Sequence, residues 1–193
     1  MRPTPDNGVR LSATRVWDEA TRPTGPVPDP GRAYTPAQEA QGQHLIDVHD
    51  HLRGELDRLR QLMTDVLDEG LDPGVARSHI NEMTLRQHNW TLGAYCQTYC
   101  RVVTTHHTFE DIGMLPALRE ADPRLAPVVD RLAAEHRAIH EVIEGVDRAL
   151  VAFVADPSRG EAVREAVNVL TDALLSHLSY EERELVEPLA RLS

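Results

Sequence analysis

The stretch RVVTTHHTFEDIGMLPAL, Arg101 to Leu118, sets two adjacent histidines and then two adjacent acids inside an apolar, helix-compatible run. Titratable groups at core positions cost free energy unless something compensates them. Helical steps of three and four link Leu92, Cys96, Tyr99, Val103, His106 and Glu110 along one face. His107 and Asp111 follow one residue round, at the edge of that stripe. The stretch therefore reads as a helix that carries a histidine and a carboxylate, one turn apart, on its buried side.

Working outward, turn signals divide residues 36–185 into four helical segments. The first runs from about Pro36 to Asp68, with Thr35 as N-cap, Pro36 at the first helical position and a stop at EGLDPG. The second runs from about Gly74 to Gly113, the third from Leu125 to Ala155, and the fourth from Arg159 to Leu185, before Pro188. No segment alternates like a strand, and helices joined by short loops predict an all-α, antiparallel up-down four-helix bundle over 36–193. Residues 1–35 hold six of the thirteen prolines and little apolar periodicity, which predicts a disordered or loosely packed tail.

The other three helices repeat the pattern. In the first, His49 shares a stripe with Leu45, Leu52, Leu56, Leu59 and Met63. In the third, His136 lies among Val129, Leu132, Ile139, Ile143 and Val146, with His140 one turn on. In the fourth, His177 and Glu181 lie among Leu170, Leu174, Leu178 and Leu185. The inward set is thus His49, His106, Glu110, His136, His140, His177 and Glu181. Seven titratable groups in one core would be severely destabilising without a cation, whereas a metal turns neutral imidazoles and carboxylates into ligands.

Seven ligands exceed the four of a tetrahedral zinc site and suit two metals. Imidazole with carboxylate, and no thiolate, favours iron or manganese over copper(I). Neither Glu-x-x-His nor His-Glu-x-x-His occurs, which argues against ferritin-type di-iron proteins and zinc proteases.

The formal charge of −11 speaks against nucleic acid and anionic membranes, and no run of eighteen apolar residues predicts a membrane span. Two cysteines, Cys96 and Cys100, make no disulfide framework, and the N-terminus lacks the apolar core of a signal peptide. The expected location is the cytoplasm. As small residues on or beside the second stripe, the cysteines read as core, with a thiol-sensing role as the alternative.

The order His49, then His106-x-x-x-Glu110, then His136-x-x-x-His140, then His177-x-x-x-Glu181 resembles the hemerythrin family, specifically bacterial HHE cation-binding domains. The resemblance covers about residues 40–190. It implies a four-helix bundle around two non-haem iron ions joined by an oxo or hydroxo bridge. It further implies His136, His140 and His177 on one iron, His49 and His106 on the other, and Glu110 and Glu181 bridging them. The iron with fewer histidines would keep an open position for dioxygen, nitric oxide or peroxide. Invertebrate oxygen carriers end in His-x-x-x-x-Asp, whereas here Glu181 stands at four and Glu182 at five, so simple oxygen transport does not follow. Glu181 is favoured as the ligand, because a step of five rotates Glu182 about 140° from the histidine. His107 and Asp111, at the stripe's edge, are placed as groups that hydrogen-bond to the ligands from outside the centre.

The expected function is small-ligand binding or reaction at a di-iron centre. Two alternatives accompany it: a catalase-like enzyme that decomposes peroxide, and a helical interaction or sensor module with a structural metal. The sequence names no catalytic residue, electron donor or oligomeric state.

Overall fold

A computed structural model describes residues 1–68 and 82–192. The expected start of the second helix near Gly74, His79 and the side chain of His88 lie outside the described residues. Four long helices carry the chain: α1 Pro36–Asp68, α2 Glu82–Phe109, α4 Ala126–Ala155 and α5 Gly160–Arg191, with a short α3, Leu115–Ala121. No strand occurs among the described residues.

Local chemistry explains the helix ends. Thr35 caps α1 reciprocally: its Oγ1 accepts from the Gln38 amide at 3.3 Å, and Gln38 Oε1 accepts from the Thr35 amide at 3.1 Å. Both later connections use the same tripeptide, Ala-Asp-Pro, at 121–123 and 155–157. The residue before proline is driven to extended backbone, and Asp122 and Asp156 adopt it, with φ −141° and −145°. Each aspartate then caps a one-turn 3₁₀ helix by accepting from the amide two residues on.

The sequence places the end of the second helix at Gly113, but the helical path continues. Residues Glu110–Met114 form a widened turn in which the Leu115 amide donates to the Glu110 carbonyl, five residues back. Pro116 then falls in the first turn of α3, where no amide donor is required. Similarly, α5 passes through Pro188 to Arg191 instead of stopping at Leu185.

Among the described residues α1 packs against α5, α5 against α4, α4 against α2, and α2 against α1. Gly42 permits the tightest approach, because a Cβ there would lie 2.5 Å from the Val186 carbonyl oxygen. The apolar interior falls into two clusters. One contains Leu52, Val103, Ile139, Leu174 and Leu178; the other contains Leu45, Leu115, Leu132, Tyr180 and Leu185. On every long helix the inward histidine lies between the two, so a polar layer is enclosed by hydrocarbon above and below.

Residues 1–35, read from the sequence as a disordered or loosely packed tail, lie along the helices as a strap. The Leu11 and Ser12 amides donate to Asp172 at 2.9 Å, Ser12 Oγ to Glu165 at 2.6 Å, and Tyr180 Oη to the Pro23 carbonyl at 2.8 Å. The Gly25 amide donates to Glu184, and Tyr34 to Glu187. Apart from the Tyr180 hydroxyl, which donates to a strap carbonyl, these anchors are strap amides and hydroxyls meeting acids of α5, a form of attachment that leaves no hydrophobic periodicity in the sequence.

Candidate metal centre

Four elements supply the polar layer. Helix α1 gives His49; α2 gives His106 and His107, and its widened turn gives Glu110 and Asp111. Helix α4 gives Glu135 and His136, while α5 gives His177, Glu181 and Glu182. The potential ligand atoms form two groups, each within 4.8 Å of one another: His107, His136 and His177 in one, and His49, His106, Glu110 and Glu181 in the other.

The two glutamates lie between the groups. Glu110 Oε1 is 3.2 Å from His106 Nε2 and 4.0 Å from His49 Nε2, while its Oε2 is 3.7 Å from His136 Nε2. Glu181 Oε2 is 3.6 Å from His49 Nε2 and 3.5 Å from His177 Nε2. The Nε2 atoms of His49, His106 and His107 and all four oxygens of Glu110 and Glu181 are buried without a hydrogen-bond partner. Such convergence of unsatisfied polar atoms is costly, and a cation at each group would satisfy them.

Carboxylates orient three of the rings from behind. His49 Nδ1 meets Glu182 Oε1 at 3.0 Å, His136 Nδ1 meets Asp111 Oδ1 at 2.8 Å, and His177 Nδ1 meets Glu135 Oε2 at 3.1 Å. An ionised carboxylate only accepts, so each Nδ1 carries the proton and each Nε2 turns its lone pair into the centre. His107 is fixed by stacking on His136, with centroids 4.1 Å apart and planes 7° from parallel.

Electrostatics in the metal-free protein follow from burial. It pushes His106 down to about 3, and burial with the neighbouring imidazoles pushes His136 to about 2. His107 falls well below the ordinary range for the same reasons. Burial, and then the charge of Glu182, raises Glu181 to about 8, and burial raises Glu110 well above the ordinary range. Glu135 goes the other way: burial opposes its ionisation, yet hydrogen bonds from His177 and Arg22 bring it to about 2.

A model of the hemerythrin HHE cation-binding domain matches residues 42–189. The chain belongs to that family. No curated protein and no solved structure matches it.

Within this hemerythrin-type domain, the structure brings together His49, His106, Glu110, His136, His177 and Glu181 from the expected set. His140 is not among them: its side chain is 57% exposed, 3.6 Å from Glu144. It lies about 40° beyond His136 around α4, past the buried arc that runs through Leu132, Ile139 and Ile143. His107, expected at the stripe's edge to hydrogen-bond the centre's ligands from outside, takes the place next to His136 and His177. It is 5% exposed and follows Val103 by four residues, as His106 does by three, so the two rings straddle the inward direction of α2. Asp111 does lie behind a ring, that of His136. Glu182 stands behind His49, leaving Glu181 to face the centre.

Sequence reasoning passed over Glu135. Its signal was adjacency to His136 on an amphipathic helix, where an acid with 2% exposure demands partners. Cys96 is buried in the core cluster, and both cysteines are free. Among the described residues, no helix is long and apolar enough to cross a membrane.

Proposed function

We propose that this hemerythrin-family protein holds two non-haem irons in an antiparallel four-helix bundle and binds or reacts with a small ligand there. The contacts of Gly42 with Val186, and of Gly160 with Leu67, support opposite directions for α1 and α5. The observation that carries the reading is the position of Glu110 and Glu181, unpartnered and buried between two sets of imidazoles. His107, His136 and His177 would hold one iron, His49 and His106 the other, and the two glutamates would serve both.

When bound, the iron pair supplies electron exchange and an open coordination position. The chain's own residues do the rest. Val103, Ile139 and Leu174, fully buried, exclude water from one side of the layer. Asp111, Glu135 and Glu182 hold protons on Nδ1 and keep the imidazoles aimed. A surface groove of about 520 Å³, lined by Val48, Val102, Phe109 and Met114, ends on His106 and Glu110. It meets the set with fewer histidines, and a second groove of about 440 Å³, lined by Thr104, Thr108 and Arg137, reaches His107 and His136, so dioxygen, nitric oxide or peroxide has a path to either set. The net charge of −11 and the free cysteines fit a cytoplasmic protein without a nucleic-acid partner.

Metal analysis with absorption spectra under air, dithionite, azide and nitric oxide tests this reading. About two irons per chain, with charge-transfer bands that respond to azide, are expected. Zinc alone or no metal overturns it. Iron whose spectrum ignores every added ligand leaves a helical module with a structural metal.

A further inference from the structure

The carboxylates behind the histidines are themselves held, and one donor to each of two comes from the N-terminal strap. Glu135 receives Arg22 through a fork, Nε to Oε1 and Nη2 to Oε2, both at 2.8 Å. Arg131, on α4, adds a bond of 2.6 Å to Oε1, and His177 occupies Oε2. Glu182 receives the Thr4 amide on Oε2 at 2.7 Å, while Arg53 and His49 share Oε1. Thus each buried acid has one arginine from the bundle, one imidazole from the centre and one donor from the strap.

We propose that the strap is a working part of the metal centre: Arg22 and the Thr4 amide are positioning groups that fix Glu135 and Glu182, and through them His177 and His49. The inference rests on the reading of the histidines as metal ligands. A carboxylate held by a bidentate arginine has a fixed plane, and its free lone pair then dictates the orientation of the imidazole that donates to it. Arg22 is fixed in turn, its guanidinium lying 4.6 Å from the centroid of Tyr180 and 5.5 Å from that of Trp17, with Nη1 donating to Ser176 at 2.9 Å. One segment therefore reaches both ligand groups, His177 in one and His49 in the other.

Full-length wild type, Arg22→Ala, Arg22→Lys, Thr4→Pro and Ser12→Ala discriminate this from a strap that merely adds stability. Ser12 anchors the strap to Glu165 and Asp172, neither of which touches a histidine of the centre. Anaerobic iron(II) titration should show binding about 10- to 100-fold weaker in Arg22→Ala. Arg22→Lys, which keeps the charge and loses the fork, should fall between it and wild type. Thr4→Pro, which deletes the amide donor, should also weaken binding, and Ser12→Ala should not. Nitrogen-correlated proton NMR of the metal-free proteins gives a second readout. The Nδ1 proton of His177 should be slow to exchange in wild type and Ser12→Ala, and fast in Arg22→Ala. Wild-type affinity and slow exchange in Arg22→Ala would overturn the proposal, as would equal losses in Arg22→Ala and Ser12→Ala. A wild type that takes up no iron would sink the metal-centre reading, and the His177 exchange rates would then decide the strap's role alone.

Discussion

The Nε2 atoms of His136 and His177 stand 3.1 Å apart, while the Nδ1 atoms of the same rings are engaged by Asp111 and Glu135. With both Nδ1 protons committed to carboxylates, two lone pairs confront each other in a dry interior. A cation between them turns repulsion into coordination. Metal binding and folding are therefore linked. Chelation should lower the melting temperature by about 10–20 °C, from a binding contribution on the order of 5 kcal/mol at 2–4 °C per kcal/mol for a chain of this size. Differential scanning calorimetry with and without chelator checks it; equal melting temperatures would mean that the layer is stable without a cation.

The exchange of His140 for His107 is the sharpest test of the geometry. Replacing His107 by Ala removes one of three imidazoles from its group, so iron content should drop by about half or more at sub-saturating metal. Replacing the exposed His140 by Ala should leave iron content and melting temperature unchanged within about 0.5 kcal/mol. Metal analysis of the two variants, side by side, decides it. The reverse pattern would restore His140 to the ligand set.

Much of this layer was legible because each long helix repeats an apolar stripe interrupted by a histidine. His49, His136 and His177 could be read from the spacing alone, as could the carboxylates at Glu110 and Glu181. What spacing cannot decide is a choice between neighbours when the stripe's next step is three or four, which is the case after Val103 and again after His136. Packing settles both, drawing His107 in and leaving His140 out. The strap was illegible for a different reason. Most of its attachments run from amides, hydroxyls and arginines to acids more than a hundred residues away, such as Arg22 to Glu135 and Thr4 to Glu182. Such pairings carry no local pattern.

Proton uptake and release offer a pH test. In the metal-free protein Glu181 is raised to about 8 and Glu110 well above the ordinary range, both chiefly by burial, so Glu181 is largely protonated at pH 7 and Glu110 is shifted the same way. Iron binding at pH 7 should then release protons, visible as a buffer-dependent enthalpy in calorimetry. The stability sign is also fixed. A carboxyl whose pKa is raised on folding contributes stability that is full below its unfolded value and is lost as pH climbs through its folded value. Above about pH 7.5 the unfolded imidazoles, ordinarily near 6.5, are largely neutral, so between about pH 7.5 and 9 the carboxyls dominate. Metal-free stability should fall by roughly 1–3 kcal/mol across that window. A flat profile in urea unfolding would mean that the two acids are ionised in the metal-free fold.

The contact of α1 with α5 at Gly42 ties the fold to the centre. A methyl group there would lie 2.5 Å from the Val186 carbonyl oxygen and 3.2 Å from Val186 Cγ1, and would also strike Met1. The carbonyl belongs to helix backbone and cannot turn aside, so the helices must separate. His49 lies two turns along α1 from Gly42, and its partners Glu181 and Glu182 precede Val186 on α5 by about one turn. Separation at Gly42 therefore draws His49 away from both acids. Gly42→Ala should cost about 1–3 kcal/mol of stability in the presence of chelator. It should also weaken iron binding, whereas substituting Gly54 by Ala, where a Cβ meets nothing within 4 Å, should do neither. Thermal unfolding and iron titration of the two variants measure both effects. A Gly42→Ala protein as stable as wild type would show that α1 and α5 do not meet at this distance.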